Sequence, residues 1–188
     1  NRHVVEASRD GTVVLISRAL DKPLIGTILR KSLPGAVGSL DLALIAVRSG
    51  RAPGHLRLAS SAPKLASVIA SGYPGRVIEH DADFRALQRG DLAAAPDLNL
   101  TRGGIQSVQS NPAGVRVIVH TASVMKGNSG GPLVDECGRA IGVNTYINVD
   151  LLQAGRISYA QMSEAVVQFA KQAGVDIRLD SSVCTLRD

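Results

Sequence analysis

Residues 125–133 read Met-Lys-Gly-Asn-Ser-Gly-Gly-Pro-Leu, an order of small residues around one serine that fits an exposed nucleophile better than an ordinary turn. Glycine permits backbone conformations in which amide groups converge, and Gly127, Gly130 and Gly131 flank Ser129. The amides of Gly127 and Ser129 are therefore the predicted donors to the oxygen of a tetrahedral intermediate. The alternative is a glycine-rich turn with a solvent-facing serine, and the motif alone favours neither interpretation.

The segments on both sides of this stretch have the composition of β-strands. Residues 115–120 have the pattern of a strand that approaches it, and residues 132–134 and 140–143 have the pattern of strands that leave it. The sequence therefore predicts that the serine loop lies on a β scaffold.

A serine hydroxyl needs a base to take its proton, and the base needs a third group that orients it. The four histidines, His3, His55, His80 and His120, all precede Ser129. This order excludes the G-x-S-x-G elbow of α/β-hydrolases, in which the histidine follows the serine. The order that remains is histidine, aspartate, serine.

His3 and Asp41 are the best candidates for the base and its orienting group. Asp41 is a lone acid within the apolar residues 39–47, where a buried carboxylate is costly unless it is paired. We therefore predict that His3 pairs with Asp41. The alternatives are a disordered terminal histidine and a strand-edge aspartate that faces water.

Three segments carry a resemblance to a known family. Residues 1–5, 40–44 and 127–133 resemble the three signatures of bacterial trypsin-like serine proteases of the chymotrypsin fold, near the HtrA (Deg) group. The resemblance covers nearly the whole chain and includes a Gly-Tyr-Pro-Gly turn at 72–75 and an aromatic-Ala strand at 157–160. It implies an all-β fold of two Greek-key β-barrels, the first incomplete at its N-terminus, with a C-terminal helix.

The resemblance also implies an activity, that of a serine endopeptidase. In that role Ser129 attacks the peptide carbonyl, His3 is the base, Asp41 orients it, and the amides of Gly127 and Ser129 form the oxyanion hole. The alternative is a catalytically silent binding or scaffold domain with the protease fold, because only Asn1 and Arg2 precede the base in this sequence.

The same resemblance implies a pocket for the residue before the scissile bond. Ser123 lies near its floor, and Thr145, Tyr146 and Ile147 lie on the opposite wall. Because no acid stands at the floor, we expect a small or medium apolar residue at the cleavage point. Thr145 is also expected to hydrogen-bond the Asp41 carboxylate.

The residues that depart from the family pattern lead to further expectations. Asn128 replaces the aspartate that secreted trypsins pair with a new N-terminus, so activation by N-terminal cleavage is not expected. His120 is disfavoured as a receptor for acidic side chains, because glutamate-specific relatives carry that histidine on the later wall strand, where this chain has Asn144. His55 and His80 are predicted at the surface.

The predicted organisation has an N-terminal barrel at 1–58, a linker at 59–66 and a C-terminal barrel at 67–188. The C-terminal barrel is followed by a helix that begins with Ser163 as its N-cap and ends near Ala173. Residues 79–98 are polar and are predicted to form a long, solvated surface loop that has room for one helical turn; a loop that contacts substrate is the alternative.

The composition limits the partners. The formal net charge is +5, but the basic residues are scattered, which predicts a solvated surface and a polypeptide substrate instead of nucleic acid. No apolar run approaches the about 20 residues that span a bilayer, and no signal peptide or PDZ domain is expected within these residues. No cofactor or metal is expected, because no histidine, cysteine and acid cluster has ligand spacing. The expected location is secreted or periplasmic, where Cys137 and Cys184 form a disulfide; two free thiols are the alternative.

Overall fold

The computed structural model describes residues 1–47, 54–150 and 155–185, with side chains throughout except at 146–150, 155 and 156. Most of the chain forms two β-sheets, and one of them closes into a barrel. In chain order, the elements are a 3₁₀ helix (His3–Val5), β1 (Thr12–Leu15), β2 (Leu24–Lys31), β3 (Ala43–Val47), β4 (Leu58–Ala59), β5 (Ser67–Gly72), α1 (Gly75–Ile78), α2 (Ala82–Gln88), β6 (Asn99–Ser110), β7 (Arg116–His120), β8 (Pro132–Asp135), β9 (Ala140–Asp150), β10 (Gly155–Met162), α3 (Ser163–Lys171) and β11 (Leu179–Asp180).

The first sheet has three antiparallel strands in the order β1-β2-β3. Its ladder continues past the end of β2 through Ser32, whose hydroxyl donates to the carbonyl of Leu40 at 2.7 Å and accepts from the amide of Leu42 at 3.1 Å. These bonds hold the residues on either side of Asp41 in place before β3 begins. An open three-stranded sheet therefore lies in the segment where the sequence predicts a partial first barrel.

The second sheet closes on itself. Strands β10, β7, β6, β5, β8 and β9 are neighbours in that order, and β9 also pairs with β10, so the six form a barrel. The two-part β architecture predicted from the sequence is confirmed. Small and aliphatic side chains fill the barrel core: Ala59, Val68, Ala70, Ile105, Ile118, Ala122, Val124, Leu133, Ile141, Ala160 and Met162.

Two short strands extend the barrel sheet. Residue Leu58 of β4 pairs in parallel with Ala140 of β9, and β11 pairs in parallel with β4. The barrel sheet thus reaches residues that the sequence assigns to the first barrel and the linker. The division at 1–58, 59–66 and 67–188 remains a prediction.

Helix α3 packs against the barrel, with Phe169 and Ala170 buried. The prediction of Ser163 as its N-cap is wrong, because the capping position is Met162 and makes no side-chain cap bond. The Ser163 hydroxyl instead donates to the carbonyl of Ala140 at 2.7 Å. Ser163 therefore anchors the start of the helix to β9.

The predicted loop at 79–98 contains a helix that the sequence analysis underestimated. The side chain of Asp81 caps α2 by accepting from the amide of Phe84 at 2.9 Å. Phe84 and Leu87 lie three positions apart, so they share a face of the helix, and both are partly buried. This face supports a seven-residue helix instead of a single turn.

Cys137 and Cys184 form a disulfide, with their Cα atoms 5.8 Å apart. It joins the turn between β8 and β9 to the segment after β11. Asp135 lies close to both sulfurs, but it is engaged with Arg139, whose Nη2 lies 2.7 Å from its Oδ2, and the bonded sulfurs are not thiolates. In the described ranges, no helix is long and apolar enough to cross a membrane.

Candidate active site

The serine loop connects β7 to β8 and is held by backbone hydrogen bonds. The amide of Gly130 donates to the carbonyl of Asn144 at 2.9 Å, and the amide of Asn144 donates to the carbonyl of Gly131 at 2.9 Å. Gly127 has a φ of +106°, in the region that favours glycine. Across residues 1–47, 54–150 and 155–185, no protein acceptor takes the amide hydrogens of Gly127 or Ser129.

Asn128 holds the loop from the inside. Its side chain is 1% exposed, and its Oδ1 accepts from the amide of Met125 at 3.0 Å. It packs so closely on Gly72 that a Cβ there would overlap the Cα of Asn128. An uncharged residue therefore shapes the loop by a hydrogen bond and close packing.

The structure brings together the predicted pair His3 and Asp41. Nδ1 of His3 lies 2.5 Å from Oδ2 of Asp41, and the backbone amide of His3 donates to Oδ1 at 3.0 Å. An ionised carboxylate is an acceptor only, so Nδ1 carries the hydrogen and Nε2 is the free basic nitrogen. The side chain of His3 is 46% exposed and that of Asp41 19%, so the imidazole faces solvent and the carboxylate is shielded.

Asp41 is tied to the barrel through Gln161 of β10. The Gln161 side chain is fully buried, accepts from the amide of Asp41 at 3.1 Å and donates to the carbonyl of Ser39 at 2.7 Å. From the other side, Nδ2 of Asn1 donates to the carbonyl of Asp41 at 2.7 Å. Asp41 is thus held mainly through hydrogen bonds to its own backbone and to that of Ser39.

Ser129 lies beside this pair, but its hydroxyl points elsewhere. The Ser129 hydroxyl donates to the carbonyl of Thr145 at 3.4 Å, and in the described part of the chain no hydrogen bond joins it to His3. The expected bond from Thr145 to the Asp41 carboxylate is absent among these residues, because the Thr145 hydroxyl donates to the carbonyl of Val143 at 2.8 Å. Asn1 bridges Thr145 and Asp41 instead.

The residues predicted to line the specificity pocket are described only in part. Ser123 is exposed, and its carbonyl accepts from the hydroxyl of Thr101 at 2.7 Å. Thr145 is buried on β9. Tyr146 and Ile147 follow it on β9, but their side chains lie outside the described residues.

A large apolar cleft adjoins Ser129, and the sequence analysis missed it. It has a volume of about 1110 Å³ and is bordered by His3, Gly127 and Ser129. Its apolar side chains come from the N-terminal region, the turn before α1, α1, α2, the segment before β6 and the serine loop: Val4, Ile16, Tyr73, Ile78, Phe84, Leu87, Pro96 and Met125. The sequence feature that could have indicated the cleft is the presence of Phe84 and Leu87 in the mainly polar residues 79–98.

The remaining histidines are not part of the cleft. His55 and His80 are exposed, as predicted. His120 is fully buried at the end of β7, and burial lowers its pKa to about 4, although the side chain of Asn144 and the backbone at Ala122 oppose the shift. A neutral histidine without solvent contact does not serve as a receptor for an acidic substrate side chain, in agreement with the sequence analysis.

A known protein family matches most of the chain. The trypsin-like peptidase domain model matches residues 1–143. The chain belongs to this family. Rv3671c, a serine protease of Mycobacterium tuberculosis, is 30% identical over 177 residues, which cover 91% of this chain and 38% of the relative. The chain thus spans about two fifths of the length of the curated relatives it matches.

Solved structures of trypsin-like peptidases share the fold. The HtrA-type protease AlgW, solved with a decapeptide, superposes with a TM-score of 0.66 at 23% identity, covering 91% of this chain and 46% of AlgW. An inactive form of Rv3671c superposes with a TM-score of 0.64 at 23% identity, covering 93% of this chain and 77% of the other. The predicted resemblance to trypsin-like serine proteases is confirmed, and the likeness to the HtrA-type protease AlgW is one of fold.

Proposed function

We propose that the chain is a serine endopeptidase in which Ser129 is the nucleophile, His3 the base and Asp41 its orienting group. The observation that carries this proposal is the His3–Asp41 pair at 2.5 Å, which borders the same cleft as Ser129. Membership of the trypsin-like peptidase family supports the reaction class.

In the proposed reaction, the Ser129 hydroxyl attacks the carbonyl carbon of the scissile peptide bond while Nε2 of His3 takes the hydroxyl proton. The carbonyl oxygen becomes an oxyanion. His3 then gives the proton to the leaving nitrogen as the carbon–nitrogen bond breaks. A water molecule, deprotonated by His3, attacks the acyl-enzyme ester, and the proton returns to Ser129 as the acid product leaves.

The amides of Gly127 and Ser129 are the proposed oxyanion donors. Neither donates to a protein acceptor within the described ranges, whereas the neighbouring amides of Asn128, Gly130 and Gly131 are all engaged. Donors that are already oriented need no rearrangement when the negative charge develops, and such stabilisation is usually the largest catalytic contribution.

One movement is required before attack. The Ser129 hydroxyl donates to Thr145 and must rotate toward His3, which is a change of one side-chain torsion between staggered positions. Catalytic hydrogen bonds are often loose without substrate and tighten when substrate binds. We infer that peptide binding displaces the Ser129–Thr145 bond.

The proposed substrate is a polypeptide with a small or medium apolar residue before the scissile bond. Ser123 supplies no charge at the floor, and Thr145, Tyr146 and Ile147 are the proposed opposite wall. The AlgW structures were solved with a decapeptide and a tripeptide, which supports a peptide ligand for this fold. The disulfide supports a proposed secreted or periplasmic location, because disulfides persist in oxidising compartments.

The test is covalent labelling of Ser129 with a fluorophosphonate probe, detected by intact mass. We expect one probe per chain in the wild type, no labelling of Ser129→Ala and strongly reduced labelling of His3→Ala. Ser110→Ala, which alters an exposed serine at the end of β6, serves as a control variant that keeps the label.

The competing function is a silent binding domain with the protease fold. The specific observation in its favour is the Ser129 hydroxyl that donates to Thr145 instead of His3. A folded wild type that takes up no probe, alone or with a peptide present, would support this alternative and contradict the endopeptidase proposal.

A further inference from the structure

We propose that the apolar cleft between the 3₁₀ helix and helices α1 and α2 binds a bulky apolar side chain on the leaving-group side of a polypeptide substrate. The leaving-group side begins with the residue directly after the scissile bond. The inference rests on the proposed function, and it adds a second specificity site to the pocket around Ser123 and Thr145.

The position of the cleft selects the leaving-group side. It borders Ser129, His3 and Gly127, but neither Ser123 nor Thr145 is among its lining residues. A substrate chain passes the nucleophile in one direction, so if its acyl half lies against Thr145, its other half leaves toward the opposite side. The cleft is continuous with the candidate site on that opposite side.

The lining selects the chemistry of the occupant. Phe84 and Leu87 of α2 line the cleft together with Ile78 of α1, which is 7% exposed. Tyr73 and Met125 line the cleft nearer to Ser129, and both are partly buried. An aliphatic or aromatic side chain would remove this surface from water, which favours its binding roughly in proportion to the apolar area covered.

The charges at the rim act against a basic occupant. Arg76 and Lys126 are exposed, line the cleft and form no ion pair within the described residues. Glu79 also lines the cleft, but its carboxylate lies 3.4 Å from Nε2 of His80, and the two cations outnumber it. The net positive charge repels a lysine or arginine side chain, whereas a neutral apolar side chain has no charge to repel. A lysine after the scissile bond is therefore a useful negative probe.

The kinetic test compares four quenched fluorescent peptides with one acyl half, valine before the scissile bond, and leucine, phenylalanine, alanine or lysine after it. We expect kcat/KM for leucine and phenylalanine to exceed that for alanine by at least about tenfold, with lysine lowest, because single methylenes in an apolar pocket already discriminate by about tenfold or more. Equal rates for leucine and alanine would overturn the proposal.

The variant test removes the proposed wall. Phe84→Ala and Leu87→Ala are expected to reduce the leucine-to-alanine ratio to below about threefold. Leu92→Ala is the matched control, because Leu92 is an exposed leucine that does not line the cleft. The methyl ester of the same acyl half carries no leaving-group side chain, so its hydrolysis is expected to change by less than about twofold. If these variants hydrolyse the methyl ester as poorly as they hydrolyse the leucine peptide, Phe84 and Leu87 have a merely structural role.

A binding measurement separates failure of this inference from failure of the proposed function. Ser129→Ala protein is titrated into the fluorescein-labelled leucine and alanine peptides, and binding is followed by fluorescence anisotropy. We expect at least about tenfold tighter binding of the leucine peptide, and loss of that preference in Ser129→Ala with Phe84→Ala. If the wild type takes no probe but this preference holds, only the catalytic proposal fails; equal binding of both peptides overturns the cleft proposal.

Discussion

The two β regions hold the two halves of the candidate site in different ways. In the first sheet, Leu24 is buried at the start of β2, but Val14, Ile25 and Leu29 are more than half exposed. The barrel has no free edge along its six strands, and its core residues are almost completely buried. His3 and Asp41, the proposed base and its orienting group, belong to the open region, and Ser129, the proposed nucleophile, belongs to the closed one.

The two regions differ in how tightly they hold the candidate catalytic side chains. The 3₁₀ helix that carries His3 has no buried residue, whereas the serine loop is held by Asn128 and Asn144, which are both fully buried or nearly so. Catalytic groups need support that limits their motion, and for His3 most of it comes from a single carboxylate. The comparison predicts that changes on the Asp41 side have the largest effects on activity.

The first prediction breaks the support of His3. Asp41→Asn is expected to lower kcat for peptide hydrolysis by about 10⁴-fold, because a neutral amide no longer selects the tautomer with a free Nε2. The fold should persist, since Asn nearly matches Asp in shape. The measurement is kcat on a fluorogenic peptide, with Asp21→Asn, an exposed aspartate in the turn before β2, as the control.

Asp41→Asn also has an outcome that contradicts the proposal. A variant that keeps wild-type kcat, with unchanged circular dichroism and melting temperature, would mean that Asp41 does not orient the base. The probe-labelling rate of Ser129 gives a second reading of the same effect, because labelling uses the same base but no peptide leaving group.

Much of the site could be predicted from the sequence because chain order limits the choices. All four histidines precede Ser129, which excludes the order serine, acid, histidine of α/β-hydrolases, and a lone acid in an apolar run is expected to have a partner. His3 and Asp41 are in fact hydrogen-bonded. Their catalytic roles, and those of Gly127 and Ser129, stay predictions. The family and the two-part β fold are confirmed.

What the sequence did not reveal depends on contacts between distant residues. Gln161 lies 120 positions from Asp41, and no local sequence pattern shows that its side-chain oxygen accepts a hydrogen bond from the backbone amide of Asp41. Helix α2 was underestimated because its apolar face is only Phe84 and Leu87. The orientation of the Ser129 hydroxyl toward Thr145 is a choice among side-chain rotamers, which residue type alone does not determine.

The second prediction concerns the buried histidine of the barrel. His120 is neutral when folded, with a pKa near 4, against about 6.5 when unfolded. Between these values the unfolded state binds more protons, so the free energy of unfolding falls as the pH drops from about 6.5 to 4. The expected loss from this residue is about 3 kcal/mol at or below pH 4, and none above about pH 7.

The measurement is urea unfolding at pH 7.5 and pH 4.5 for the wild type, His120→Leu and His80→Gln. We expect the His120→Leu stability to depend less on pH than that of the wild type, while His80→Gln, altered at an exposed histidine, behaves as the wild type does. The same pH dependence in all three proteins would rule out His120 as its source. Imidazole proton NMR of the wild type reads the His120 pKa directly.

The third prediction compares two ties between the first sheet and the barrel region. The buried side chain of Gln161 forms hydrogen bonds with the backbone on both sides of Leu40. Arg30 of β2 makes exposed contacts. Its guanidinium lies 5.4 Å from the ring centroid of Phe169 and donates to the carbonyl of Gln172 at 2.9 Å. Buried groups that lose a partner cost about 1–3 kcal/mol, whereas exposed cation–π contacts contribute only about 0.5–1 kcal/mol.

Gln161→Leu is therefore expected to lower the free energy of unfolding by about 1–3 kcal/mol and to slow probe labelling of Ser129, because the freed Asp41 backbone no longer fixes the carboxylate that holds His3. Arg30→Ala is expected to cost at most about 1 kcal/mol and to leave the labelling rate unchanged. Urea unfolding and labelling kinetics on the same samples separate the two effects. Slower labelling in Arg30→Ala but not in Gln161→Leu would mean that the position of His3 depends on the outer contact with α3, and that the buried amide serves stability alone.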